Sequence, residues 1–342
     1  MKKVAIVGFG FMGKTHYGAW KKCPGAKVVA VCDSNLAQLT AKVTGNIKGA
    51  ADNSALPKSV KVWDDFDKML AAGGLDIVDI TLPTPLHRPM TEKALAAGCH
   101  VLCEKPMAIT LKDCDAMLAA AKKADRKLLI AHCVRFFPEY LALADLVRSG
   151  RYGKVIAADF ARFIAAPRWS PNGTSWLLDE SKSGGLFVDT HVHDADYLVS
   201  LLGMPRKVFS RCHRSPNGYA DHTTTDYIYD DDVVVTSDCS YGAAKSLQFD
   251  ASARVFLERA TVLVGTAYQS PITVYPEDGK PFAPKLAKRS GYEEEVRYFV
   301  SMIDGKVGAT PRLTAEEARS AIALVLKEKQ SAATNPPRVV SL

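Results

Sequence analysis

Short apolar runs recur through the first 131 residues and alternate with stretches whose apolar positions return at helical spacing. The runs are Val4–Val7, Val28–Cys32, Val60–Trp63, Ile77–Thr81, Val101–Cys103 and Leu128–Ala131. Helix-period segments fall between them near 12–22, 35–44, 65–72, 89–97 and 111–125. Alternation of this kind predicts an α/β domain, a doubly wound parallel sheet with helices on both faces. Six strands is the size of a complete dinucleotide-binding sheet.

The texture changes after a helical stretch at 138–149. Runs at Val155–Phe163, Lys207–His213, Thr223–Tyr229, Val233–Tyr241, Ser246–Phe256, Ala260–Val264 and Ile272–Tyr275 are rich in threonine, valine and tyrosine. They predict a large, mostly antiparallel open sheet in an α+β domain. A helix is expected around 185–202, and two more near 292–304 and 315–330. The natural division is therefore 1–131 and 132–342.

Composition adds limits rather than detail. A chain of 342 residues with 47% hydrophobic and 24% charged positions suits two globular domains. No apolar run approaches the roughly 18 residues that span a bilayer, and the lysines before Val4 precede a strand, not a leader. No membrane association and a cytoplasmic location are expected. The net charge of +7 is spread thinly, without a basic stripe interleaved with aromatics, so no nucleic-acid partner is expected. Cys99, His100 and Cys103 sit on a strand whose side chains alternate faces, which sets His100 against both thiols; no metal is expected.

Gly8-Phe9-Gly10-Phe11-Met12-Gly13 directly follows the first strand and opens a helix. Gly8 allows the tight turn, Gly10 a close approach of backbone to pyrophosphate, and Gly13 close helix–strand packing. The helix N-terminus adds partial positive charge toward the phosphates. Asp33 ends the second strand, twenty residues after Gly13, where a carboxylate accepts from ribose hydroxyls and repels a 2′-phosphate. NAD is thus favoured over NADP. The fourth strand leads into Thr81-Leu82-Pro83-Thr84-Pro85-Leu86-His87, which either borders the cofactor or is an ordinary turn with Thr84 as helix cap.

Two further stretches carry candidate chemistry. Glu104-Lys105-Pro106 closes the fifth strand, at the sheet edge where nucleotides bind; Lys105 either stands over the cofactor or points into water. In Gly184-Gly185-Leu186-Phe187-Val188-Asp189-Thr190-His191-Val192-His193, helical spacing would bring Asp189 and His193 to one face. His193 then reads as a general acid/base beside a carboxylate, or as part of an ordinary amphipathic surface. His191 and His193 lie about 200° apart on a helix and cannot share a metal ion.

Taken in order, these pieces resemble the glucose–fructose oxidoreductase / inositol dehydrogenase / MocA family. The resemblance runs through Gly8-x-Gly10-x-x-Gly13, Asp33, Thr81-x-Pro83-Thr84-x-x-His87, Glu104-Lys105-Pro106 and Gly184-Gly185-x-x-x-Asp189-x-x-x-His193, to Tyr292-x-x-Glu295-x-x-x-Phe299. It implies a Rossmann domain, then a domain whose open sheet often joins protomers into homodimers or homotetramers. It also implies Lys105, Asp189 and His193 as the catalytic set. Thr190 is similar to the threonine with which inositol dehydrogenases touch substrate, and Arg135, in the family-like segment 131–140, is also expected at the substrate.

The activity this implies is an NAD-dependent dehydrogenase acting on a secondary alcohol of a polyol, inositol or pyranose sugar. His193 would take the hydroxyl proton as hydride leaves, and Lys105 would stabilise the charge developing on the same oxygen. The loop between Phe163 and Gly184 carries Arg168, Trp169 and Trp176, whose mixture of apolar rings and charge suits a sugar or cyclitol; the tryptophans could equally anchor an interface. Two alternatives stay open: glycoside cleavage through a transient redox step of bound NAD, and a non-catalytic nucleotide-binding regulator.

Overall fold

The computed structural model describes residues 1–45, 50–165, 176–308 and 311–342. Two compact units emerge from the packing, Met1–Phe136 with Arg289–Arg319 and Phe137–Lys288 with Ser320–Leu342. A linear cut at 131/132 has no such return of the chain to its first unit. Among the described residues no helix is long and apolar enough to cross a membrane.

The first unit alternates as expected: β1 Lys2–Val7, α1 Phe11–Lys21, β2 Ala26–Cys32, β3 Lys61–Trp63, α2 Phe66–Ala71, β4 Ile77–Ile80, α3 His87–Ala96, β5 His100–Glu104, α4 Leu111–Ala124 and β6 Leu128–Ala131. The strands pair in parallel in the order β3-β2-β1-β4-β5-β6. The order reverses between β1 and β4, which opens a crevice at the carboxyl edge of the sheet. Val4 to Val7, Ile77 to Ile80 and Val101 to Glu104 are all buried, as strands covered on both faces must be.

One expected helix is not there. Residues 35–44 make only a single 3-10 turn, Leu36–Leu39, with no buried residue. A helix without a face to bury gains little from packing. The carbonyls that would continue it are also taken: Lys14 Nζ donates to Ala41 O at 2.6 Å and lies 3.4 Å from Leu39 O.

The second unit begins with α5 Pro138–Arg148 and β7 Val155–Phe163. After α6 Glu180–Ser183 comes a π turn, Leu186–His191, and then α7 Val192–Leu202. The uninterrupted α-helix expected over 185–202 is therefore broken at its start. The strands β8 Lys207–Arg214, β9 Ala220–Ile228, β10 Val234–Ser240, β11 Asp250–Leu257, β12 Ala260–Gly265 and β13 Ile272–Pro276 follow. The chain ends with α8 Gly291–Ile303 in the first unit, α9 Ala315–Ala332, and β14 Val340–Ser341, a two-residue edge strand too short to read from sequence.

Eight strands form this sheet in the order β13-β12-β11-β7-β10-β9-β8-β14. Every pairing is antiparallel except that of β7 with β10. Along β7, Ala158, Phe160 and Arg162 are buried while the residues between them are half-buried, so one face packs and the other is open. Arg162 reaches the Asp194 carboxylate of α7 through two parallel bonds, Nε to Oδ2 at 2.7 Å and Nη2 to Oδ1 at 2.8 Å. Both groups are buried, so Arg162→Met leaves a carboxylate without its cation. The expected loss is about 3–5 kcal/mol, read as a lower urea midpoint at unchanged slope; an unmoved midpoint contradicts it.

Candidate active site

The glycine turn after β1 has the shape its sequence demands. Gly8 sits at φ +89°, and a Cβ there would lie 2.8 Å from Thr81 O. A Cβ on Gly13 would lie 2.0 Å from Gly8 O. Gly10 is different, since a Cβ there meets nothing within 4 Å. It caps α1 without a side-chain acceptor, and Phe11, Met12 and Gly13 open a first turn that holds no acidic residue. Open space beside amides that have no side-chain acceptor fits a phosphate group.

Asp33 lies beside this turn. Its Oδ2 accepts from the Phe9 amide at 2.6 Å and its Oδ1 from Asn35 N at 2.8 Å. Each oxygen keeps a further lone pair, so ribose hydroxyls still find an acceptor. The Phe9 side chain itself is buried, edge-on to Tyr17 and 5.4 Å from Lys14 Nζ, so only its backbone faces the turn. The residues present thus fit a dinucleotide.

The loop after β4 shapes the site more than it lines it. Thr81 Oγ1 donates to Gly8 O at 2.6 Å and is 3.1 Å from Val7 O, which ties the loop to the glycine turn. Thr84 is buried in a 3-10 turn capped by exposed Pro83, not a helix cap itself; α3 starts three residues later. His87 is buried between two carbonyls, Nδ1 2.8 Å from Pro106 O and Nε2 2.8 Å from Leu82 O. Burial holds its imidazole below the usual range. The neutral ring donates to one carbonyl at a time and braces the loop against Pro106.

Lys105 is the first residue beyond β5, half-buried, with a cis bond to Pro106. Its amide donates to Glu104 Oε2 at 3.0 Å. The other oxygen of Glu104 lies 3.0 Å from Nε2 of His16, a fully buried residue of α1. Nδ1 of His16 lies 2.9 Å from Asp79 Oδ2, which also accepts from Trp20 Nε1 at 2.6 Å. Burial opposes charge on His16, but Asp79 and then Glu104 raise its pKa well above the ordinary value. None of His16, Trp20 or Asp79 was expected at the site. A charge within the apolar run Ile77-Val78-Asp79-Ile80 was the available signal, because such a group must find partners.

In the second unit the π turn carries Asp189 and Thr190, both buried, and α7 carries half-buried His193. Asp189 Oδ2 accepts from Tyr241 at 2.8 Å; Thr190 Oγ1 is 2.7 Å from that phenol and 3.2 Å from the carboxylate. Tyr241, just beyond β10, is a partner that sequence reading missed. Burial, and then the Asp189 charge, raise its pKa, so it stays a donor. His191 points elsewhere: its Nε2 lies 2.9 Å from Glu328 of α9, which also accepts from Tyr227 at 2.9 Å. Wide turns of this kind recur at functional sites, and here the turn is anchored to both sheet and helix.

The remaining candidates fare differently. Arg135, expected at substrate, is buried, and its Nη1 donates to Arg312 O and to Glu317 Oε2, each at 2.9 Å, an internal tie within the first unit. Trp176 is 37% exposed at the start of a short 3-10 turn. Arg168 and Trp169 lie outside the described residues. The cysteines form no disulfide among the described residues, and Cys23, Cys32, Cys99, Cys103, Cys114 and Cys239 are buried.

Known proteins match this architecture along the chain. Residues 2–132 match the family model described as an oxidoreductase family with an NAD-binding Rossmann fold, and residues 140–263 match the GFO/IDH/MocA C-terminal domain. D-apiose dehydrogenase of Paraburkholderia graminis is 27% identical over 279 residues, 81% of this chain and 70% of that protein. D-glucoside 3-dehydrogenase of Escherichia coli is 33% identical over 208 residues, 59% of this chain and 54% of that one. In fold, the crystal structure of aldose-aldose oxidoreductase from Caulobacter crescentus, complexed with glycerol, superposes with a TM-score of 0.84 at 22% identity, covering 100% of this chain and 99% of that chain.

Proposed function

The chain belongs to the GFO/IDH/MocA oxidoreductase family, and from that premise we propose that it transfers a hydride between NAD and a secondary alcohol of a polyol, inositol or pyranose sugar. The observation that carries this reading is the placement of Lys105. It follows β5, two strands from β1 in the sheet order, at the edge that holds the glycine turn. Strands stand about 4.8 Å apart, so the two sites are about 10 Å apart along that edge. A dinucleotide lying across the crevice, with its adenosine toward Asp33, extends its other end toward Lys105.

Bound NAD would supply the hydride acceptor. His193 takes the proton from the reacting hydroxyl, and Lys105 donates to the same oxygen as negative charge develops on it. Asp189, fixed by Tyr241 and Thr190, orients the sugar. The residue-by-residue resemblance of the motifs supports a shared role for the three groups. The sugar class is supported by the named relatives, which are a D-apiose and a D-glucoside dehydrogenase.

Incubation with NAD and a panel of cyclitols, pentoses and pyranosides tests the reading, with formation of reduced nicotinamide as signal. At least one member should give a steady rise, and NADP should react at least about tenfold more slowly, since Asp33 repels its phosphate. Sugar release without net reduction, or cofactor binding alone, would contradict it.

Association through the open sheet belongs to the same proposal. Tyr275, Thr261, Phe256, Ala157 and Val234 fall in one register row across five strands. Of these, Val234 is 63%, Tyr275 42% and Phe256 37% exposed. A row that is apolar apart from Thr261, with three large side chains exposed, favours a partner surface. The solution mass should correspond to a homodimer or homotetramer, and Val234→Lys with Phe256→Glu should lower it to a monomer. A monomeric wild-type protein, or a double variant of unchanged mass, would exclude this surface.

A further inference from the structure

Asp79, Glu104 and His16 form a buried line of alternating charge through the first unit, ending at the Lys105 amide. Each link is short: Asp79 to His16 at 2.9 Å, His16 to Glu104 at 3.0 Å, and the Lys105 amide to the far oxygen of Glu104 at 3.0 Å. The first two side chains come from β4 and α1, so the line crosses from one layer of the unit to the next.

We propose that His16 is a positioning residue for Lys105, orienting the Glu104 carboxylate so that its second oxygen holds the backbone from which the lysine side chain springs. The inference rests on the proposed role of Lys105 in the reaction. Both ring nitrogens of His16 face carboxylate oxygens, and both contacts are hydrogen bonds only when the ring carries two protons. Such a ring has one orientation, because a flip sets C–H groups against the two carboxylates and a lost proton sets a lone pair against one of them. Glu104, with one oxygen held by the ring and the other by the Lys105 amide, is then fixed about its last torsion. Trp20 closes the far end by donating to Asp79. The Tyr292 ring lies beside His16, tilted, with centroids 6.3 Å apart.

Two substitutions separate positioning from bulk structure. The amide of His16→Asn falls near Nδ1 and keeps the Asp79 contact, whereas that of His16→Gln falls near Nε2 and keeps the contact to Glu104. With Asn, backbone hydrogen exchange in segment 102–107 should rise at least about tenfold. Turnover should fall about 10- to 100-fold while NAD affinity stays within about threefold. Gln should retain the slow exchange and most of the turnover. Unchanged exchange and turnover in both variants would overturn the inference. So would equal losses in both that track melting temperature and NAD affinity. Faster exchange in the Asn variant of a protein whose wild type reduces no NAD would sustain the positioning role and remove the dehydrogenase reading.

Discussion

Lys105→Ala is expected to lower turnover on the order of 100- to 1,000-fold while the dissociation constant for NAD changes only a few-fold. The asymmetry follows from where the lysine acts. Charge on the reacting oxygen exists mainly in the transition state, so its donor is missed in turnover more than in binding. On the proposed reading the pyrophosphate rests on the glycine turn and the α1 amides, which the substitution does not touch. The backbone clamp is also spared, because Glu104 holds the Lys105 amide, which the substitution keeps. Steady-state rates with a reactive sugar, set beside titration of the reduced cofactor, check both halves. Unchanged turnover would remove Lys105 from the reaction.

Gly13→Ala should damage both the fold and the cofactor site. Its methyl would lie 2.0 Å from Gly8 O, which is backbone and cannot rotate away. The Gly8 carbonyl is itself held in place, since it accepts from Thr81 Oγ1 at 2.6 Å. Overpacking of this kind costs about 1–3 kcal/mol. The turn that shifts is the one proposed to meet the phosphates, so NAD affinity should fall on the order of 100-fold. Gly10→Ala makes the control: its methyl meets no protein atom within 4 Å, so stability should hold while cofactor affinity falls. Equal melting temperatures for the Gly13 and wild-type proteins would refute the steric account. Normal NAD binding by the Gly10 variant would place the phosphates elsewhere.

The parts of this molecule legible in its sequence are those with local causes. Apolar runs of three to five residues bounded by glycine and polar turns located every strand of the first sheet, and for the central strands β1, β4 and β5 the cause is burial on both faces. The glycine turn was legible because only glycine tolerates Gly8's positive φ and the contact at Gly13. Helix 35–44 failed because its competitor was remote: Lys14, more than twenty residues upstream, takes the carbonyls at 39 and 41. Asp189 and Lys105 stood out by motif, whereas their supports did not. Tyr241 meets Asp189 from 52 residues away and His16 meets Glu104 from 88. The return of Arg289–Arg319 to the first unit has the same character. Such partners are set by how strands and helices stack, and no spacing along the chain announces them. Arg135 carries a contact of the same remote kind, to Glu317, 182 residues away, which its family-like segment did not announce.

The central claim, hydride transfer from a sugar carbon to NAD, is tested most directly with a substrate deuterated at its reacting carbon. Wild-type protein should yield reduced nicotinamide that carries the deuterium on its ring, and Lys105→Ala should yield it at the correspondingly lower rate. Sugar turnover that leaves the nicotinamide without the label would contradict the account.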